Sequence, residues 1–191
     1  MIKTILYFHG FASSSNSNKA KIIKNYISKL SKKINIIIPD INNDFKKAVA
    51  QINHLINKNE KEIAFMGSSL GGYYASIFSN LTNSKAVLIN PAIPPLIGFE
   101  EHLGKNKNYS TGEKFFISKK DIEFLRSLNK KKFRNQKNTL ILLESGDEVL
   151  NYLKATNYYE GSNIDIKFGG NHSYESINMK LHKICSFLKI Y

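Results

Sequence analysis

Cysteine occurs once in the 191 residues, at position 185. An internal disulfide is therefore excluded, and a reducing, cytoplasmic compartment is the expectation. Cys185 falls on the apolar side of the last helical pattern, where a thiol serves as a small buried hydrophobe. Arginine occurs only at Arg126 and Arg134, although Lys and Arg together number 28 against 15 acids, a formal net charge of +13. Arginine is the preferred bidentate reader of phosphate, so its scarcity argues against a nucleic-acid partner. The lysines are scattered, with one short run at 130–132. Asn and Ile are as overused as Lys, the mark of AT-rich coding. The basic balance then reads as a solvated surface, with attraction of acidic substrates or lipid headgroups as the second reading. Long apolar runs are missing too. Nothing reaches the roughly 18 residues that a membrane helix needs. Thr4 to Phe8 is too short an apolar stretch for a signal peptide. No internal repeat or long low-complexity linker interrupts the chain.

Hydrophobic residues make up 42% of the chain and aromatics 12%. That is enough to bury a core, and the length suits one domain over residues 1–191. Short apolar runs alternate with patterns of helical period. Strands are expected at Ile2–Phe8, Ile34–Ile38, Glu62–Met66, Lys85–Ile89, Thr139–Glu144 and Ile164–Phe168. Helices are expected at Lys19–Ser31, Asp44–Asn57, Gly71–Asn80, Ser118–Leu128 and Val149–Tyr159, with a last one carrying Ile177, Leu181, Ile184 and Leu188. Alternation of this kind specifies an α/β fold, a mostly parallel sheet of about six strands with helices on both faces. Residues 94–116 have no clear period and follow a strand C-terminus, the edge where ligands bind in such sheets. They are placed to form a lid or pocket wall.

Gly67-Ser68-Ser69-Leu70-Gly71 matches G-x-S-x-G between a strand and a helix, the setting of a nucleophile elbow. Ser69 would stand on a strained turn at the top of the sheet. Gly67 and Gly71, lacking Cβ atoms, would let strand and helix approach. A serine hydroxyl needs a base, and in this fold the partners follow in the order Ser, Asp or Glu, His, each after a strand. Asp147 follows Thr139–Glu144 through Ser145-Gly146, and His172 follows Ile164–Phe168 through Gly169-Gly170-Asn171. Glu144 and Glu148 compete with Asp147 for the acid role. His54 and His182 fall inside predicted helices and His102 in the irregular stretch, which fits them less well as bases. The oxyanion donors would be the backbone N–H groups of Leu70 and Phe11. Gly10 would permit close approach of that loop, and His9 would shape it through backbone hydrogen bonds. Phe11, Tyr73, Tyr74 and the irregular stretch are candidates for the acyl pocket. Packing in the core is an equal reading for both tyrosines.

These residues resemble a known family. YFHGFASS at Tyr7–Ser14, GSSLGGYYA at Gly67–Ala75, NPA at Asn90–Ala92, TGEKF at Thr111–Phe115, GDEVLNY at Gly146–Tyr152 and GGNHSYE at Gly169–Glu175 resemble, in order, the small bacterial YqiA-like esterase family (the YqiA/YcfP group) of α/β hydrolases. The resemblance implies hydrolysis of carboxylic esters or thioesters, with short acyl esters and acyl-CoA as substrate classes. It carries nucleophile, acid and base onto Ser69, Asp147 and His172. One departure is Ser15-Asn16-Ser17, where the family often has a proline. The expected chemistry is a two-step acyl transfer on a small-molecule substrate that calls for no metal or organic cofactor. The rival readings are a non-catalytic binding protein using its basic surface, and a peptidase or acyltransferase with the same triad.

Overall fold

The computed structural model describes residues 2–31, 33–59, 62–129 and 132–191, so Lys130 and Lys131 of the lysine run lie outside the described residues. Six strands form one sheet: β1 (Thr4–Phe8), β2 (Asn35–Ile37), β3 (Ile63–Ser69), β4 (Lys85–Pro91), β7 (Thr139–Glu144) and β8 (Asn163–Lys167), in the order β2-β1-β3-β4-β7-β8. Every neighbouring pair in it is parallel. The four inner strands are almost wholly buried, which is why they read as unbroken apolar runs rather than alternating ones.

Alternate side chains of one strand go to opposite faces, and the two cores divide accordingly. Ile5, Met66, Val87, Ile89 and Leu142 pack against Ile23 and Ile27 of α1 (Asn18–Leu30) and Ile184 and Leu188 of α6 (Leu181–Leu188). Leu6, Phe8, Phe65, Leu88, Ile141 and Leu143 pack on the other side. They meet α2 (Phe45–Lys58), α3 (Leu70–Thr82), α4 (Lys119–Ser127) and α5 (Tyr152–Tyr158). Helix starts follow local chemistry. Ser17 caps α1, Asp44 accepts from Lys46 and Lys47 N–H at the start of α2, and Ser118 with Asp121 forms a capping box on α4. Among the described residues no helix is long and apolar enough to cross a membrane.

Three elements depart from the sequence expectation. Residues 94–116 are not irregular throughout. They hold a 3-10 turn at Phe99–His102 and an antiparallel pair, β5 (Gly104–Lys107) with β6 (Lys114–Ile117). The strand Gly-Lys-Asn-Lys carries no apolar residue, so nothing in its pattern announces it. The helix expected from Val149 begins instead at Tyr152, because Asn151 caps it, accepting from Leu153 and Lys154 N–H. The last strand stops at Lys167, and Phe168 is exposed.

Candidate active site

Ser69 ends β3 and stands at the N-cap of α3 with φ 53° and ψ −122°. A left-handed φ is costly for a residue with a Cβ and persists only where its surroundings enforce it. Here the enforcement is steric. A Cβ at Gly67 would overlap the Gly71 carbonyl, and a Cβ at Gly71 would overlap the Phe8 and His9 carbonyls. Strand, helix and the β1 loop therefore meet backbone to backbone around the serine. The Ser69 side chain makes no capping bond to α3, so its Oγ remains free for another partner.

That partner is His172, whose Nε2 lies 3.1 Å from Ser69 Oγ. On the other side of the ring, Nδ1 lies 2.9 Å from Asp147 Oδ2 and 3.0 Å from Oδ1. A carboxylate only accepts, so Nδ1 carries the proton and Nε2 presents a lone pair to the serine hydroxyl. The Asp147 side chain is 2% exposed, against 22% for His172. Asp147 Oδ1 also accepts from the Val149 and Leu150 N–H groups at 2.9 and 2.7 Å.

The two competing acids are engaged elsewhere. Glu148 accepts from the His172 backbone N–H at 2.9 Å. Glu144 is buried, accepts from Asn171 N–H at 2.8 Å, and takes a close hydrogen bond from Ser176 Oγ. Lys167 Nζ lies 3.7 Å from it. Asn90, which no sequence motif marked as functional, links these loops. Its Oδ1 accepts from Glu144 N–H at 2.9 Å, and its Nδ2 donates to the carbonyls of Asn171 and His172 at 3.1 and 3.4 Å. The signal available was its place at the C-terminal end of β4, in the NPA match.

The first loop lies against the serine. A Cβ on Gly10 would sit 3.5 Å from Ser69 Cβ. His9 is buried, its Nε2 accepting from Ile41 N–H and its Nδ1 bonded to the Gly10 carbonyl, both at 2.9 Å. Both ring nitrogens are thus committed to backbone, and burial lowers its pKa against the opposing pull of Gly10 O and Asp40. Among the described residues neither the Phe11 nor the Leu70 N–H has a hydrogen-bond partner. The Phe11 ring packs against His102, Phe99 and Phe115 at centroid distances of 4.5, 5.5 and 5.7 Å. Residues 94–116 therefore rest on this loop. Tyr109 N–H donates to Ala12 O at 2.8 Å and Asn108 Nδ2 to Ser13 O at 2.9 Å.

Tyr73 and Tyr74 are both fully buried. Tyr73 donates its hydroxyl to Leu125 O at 2.6 Å and belongs to the core. Tyr74 borders a cavity of only about 20 Å³ shared with Gly10, Phe11 and Leu70. The larger space at this edge of the sheet, about 170 Å³, is lined instead by residues 91–99 and 149–155. Of the other histidines, His54 lies in α2, His182 in α6 and His102 in the 3-10 turn. Among the described residues no group of three or more His, Cys, Asp or Glu side chains is arranged to hold a metal ion.

A family model described as "Uncharacterised protein family (UPF0227)" matches residues 4–189. The chain belongs to the UPF0227 family. A UPF0227 protein of Vibrio vulnificus (strain CMCP6) is 26% identical over 189 residues, covering 96% of this chain and 97% of that one. The UPF0227 protein YcfP of Escherichia coli O9:H4 (strain HS) is 24% identical over 198 residues, with the same coverage. Among solved structures, α/β-hydrolase domain-containing protein 10 from mouse superposes with a TM-score of 0.74 at 15% identity, covering 97% of this chain and 89% of that chain. The fold is thus that of the α/β hydrolases, and the family is the one to which the YcfP resemblance pointed.

Proposed function

We propose that this UPF0227 protein is a serine hydrolase of carboxylic esters or acyl thioesters, acting through Ser69, His172 and Asp147. The observation that carries the reading is the unbroken hydrogen-bonding sequence Ser69 Oγ, His172 Nε2, His172 Nδ1, Asp147. A protein that only bound its ligand would have no need of a strained serine, a base in the correct tautomer and a buried carboxylate in one line.

In the first step Ser69 Oγ attacks the substrate carbonyl carbon and His172 Nε2 takes its proton. Asp147 stabilises the imidazolium and holds the ring in place without itself being protonated. The negative charge on the carbonyl oxygen is met by the N–H groups of Leu70 and Phe11, both free of other partners among the described residues. Collapse expels the alcohol or thiol, which leaves with the proton held by His172. A water then attacks the acyl-serine, gives its proton to His172, and releases the acid and the free enzyme. The near-complete burial of Asp147 supports the reading, because a dry carboxylate interacts more strongly with the imidazolium.

The test is Ser69→Ala assayed with p-nitrophenyl butyrate beside wild type. The expected loss is about 10⁴-fold in kcat, with labelling by a fluorophosphonate probe abolished. A variant that keeps most of its activity refutes the assignment. Cleavage of amides, or transfer to an acceptor other than water, would redirect the reading to a peptidase or acyltransferase.

A further inference from the structure

Beside the triad is an apolar cavity of about 170 Å³ between the start of the 94–116 insertion and the segment that follows Asp147. Its walls come from Ile93, Leu96, Ile97, Val149, Leu150 and Ala155. Backbone hydrogen bonds tie the cavity to the triad residues Ser69 and Asp147. Ala92, in its lining, donates its N–H to Ser69 O at 3.0 Å, and Leu150 donates to Asp147 Oδ1 at 2.7 Å. Its floor is closed, with Ala92, Leu96 and Ala155 all buried. At its mouth Ile97 is 72% exposed and Val149 62%, large apolar side chains that the described residues leave in water. Isolated exposed apolar residues are ordinary, but two that line one cavity next to a reactive serine are the signature of a ligand surface.

From this lining we infer that the cavity is the acyl subsite, and that it takes a compact apolar acyl group of about six carbon atoms, straight or as a single ring. The inference rests on the hydrolase reading and deepens it. Size sets the preference: an apolar cavity of about 150 Å³ admits one benzene molecule, so a group of that size fills this one, and the further carbons of a longer chain would lie outside its mouth. Direction follows from chemistry. The leaving group has to take a proton from His172 and escape, and His172 is the solvent-facing member of the pair at 22% exposure. A closed apolar floor offers no exit and no group to solvate a released alcohol or thiol. The two polar residues in the lining fit an apolar occupant. Asn151 is committed to capping α5, and Lys154 is exposed, so it can keep its charge in water while its methylenes line the wall.

The experiment is a kcat/KM series on the full chain in two directions. p-Nitrophenyl esters run from acetate through hexanoate to dodecanoate, and a second set of acetate esters runs from methyl through hexyl alcohol. The expected result is a hexanoate-to-acetate ratio of about tenfold or more, with no further gain by dodecanoate and little dependence on the alcohol. Val149→Trp, which closes the mouth from an exposed position, is expected to cut the hexanoate-to-acetate ratio about tenfold. Rates that climb through dodecanoate, selectivity that follows the alcohol, or an unchanged ratio in Val149→Trp would each overturn the subsite. A readout independent of turnover is titration of Ser69→Ala with sodium hexanoate and sodium dodecanoate by NMR. Shifts at residues 92–97 and 149–155 with hexanoate, absent in Val149→Trp, support the subsite. Their absence overturns it, even where Ser69-dependent hydrolysis is present and the hydrolase reading stands.

Discussion

Asp147→Asn separates the proposed acid from its neighbours, because the structure dictates how the substituted amide must sit. Asp147 Oδ1 accepts two backbone N–H groups, Val149 at 2.9 Å and Leu150 at 2.7 Å. In the variant those donors require an acceptor, so the amide oxygen takes the place of Oδ1. The NH2 group is then left where Oδ2 stood, 2.9 Å from His172 Nδ1. The amide oxygen, 3.0 Å from Nδ1, is already taken by two N–H donors, so the NH2 at 2.9 Å favours a lone pair on Nδ1 and the ring proton on Nε2, toward Ser69. The base is then in the wrong tautomer, although no atom has moved. The expected loss is about 10⁴-fold in kcat, the size seen when the same exchange is made in a serine protease triad. Glu148→Gln keeps an oxygen acceptor for the His172 N–H and is expected to stay within about tenfold of wild type, the scale of one neutral hydrogen bond exchanged for another. The assay is p-nitrophenyl butyrate hydrolysis near neutral pH, with circular dichroism to confirm that both variants fold. Folded Asp147→Asn that retains activity within about tenfold of wild type would refute the tautomer reasoning. A loss in Glu148→Gln as large as that in Asp147→Asn would move the acid role away from Asp147.

Asn108 ties residues 94–116 to the loop that carries Phe11: it donates to Ser13 O at 2.9 Å and accepts from Ser110 and Thr111 N–H at 2.9 and 3.0 Å. Asn108→Ala should cost about 1–3 kcal/mol of stability, read by urea melting, and lower kcat more than it raises KM; an effect confined to KM would exclude a hold on the oxyanion loop. Cys185 is fully buried, and burial pushes its thiol up to about 11, so the native protein should resist Ellman's reagent and react with one equivalent once unfolded in guanidinium. Asp165 is buried enough to raise its pKa, but hydrogen bonds from Lys180 at 2.7 Å and Lys183 at 2.6 Å outweigh that and hold it below the ordinary value. A carboxyl depressed in the folded state adds stability that is present above its unfolded pKa and is lost as pH falls through the folded one. Asp165→Asn should therefore lower the urea midpoint at pH 7 and leave it nearly unchanged near pH 2, a difference that equal shifts at both pH values would rule out.

Local demands were legible in the sequence and remote ones were not. β1 and β7 are buried from end to end and β4 from Ala86 on, and burial on both faces forces unbroken runs such as Thr-Leu-Ile-Leu-Leu-Glu that need no partner to be read. The setting of Ser69 was legible for the same reason, since Gly67 and Gly71 are close enough in sequence for their steric role to show as a motif. The β5 and β6 pair was not. Its first strand is Gly-Lys-Asn-Lys, and what fixes the arm is contact with Phe11, Ala12 and Ser13, roughly a hundred residues earlier in the chain. Tyr73 shows the same limit: its position beside the motif left pocket and core open, and what decides for the core is the Leu125 carbonyl of α4, which takes its hydroxyl and which no local pattern names.

The choice among Glu144, Asp147 and Glu148 was open for a related reason, and the geometry shows why three acids can crowd into five residues. Each carboxylate takes a different part of the His172 loop: Glu144 holds Asn171 N–H, Asp147 holds the ring, and Glu148 holds His172 N–H. Their mutual repulsion is opposed by cations from distant parts of the chain. Lys167 reaches Glu144 from β8. Lys19, at the start of α1, has its pKa brought down to about 8 by burial, while attraction to Glu144 and Asp147 works to keep it charged. Its ammonium lies 6.0 Å from the centre of the Tyr174 ring, just beyond the same loop. Asn90 completes the arrangement by bonding both to Glu144 N–H and to the carbonyls of Asn171 and His172. The imidazole is therefore fixed by its loop as well as by its ring. A histidine held from both sides would lose little freedom on taking the serine proton, which is the condition that general-base catalysis places on geometry before it places any on pKa.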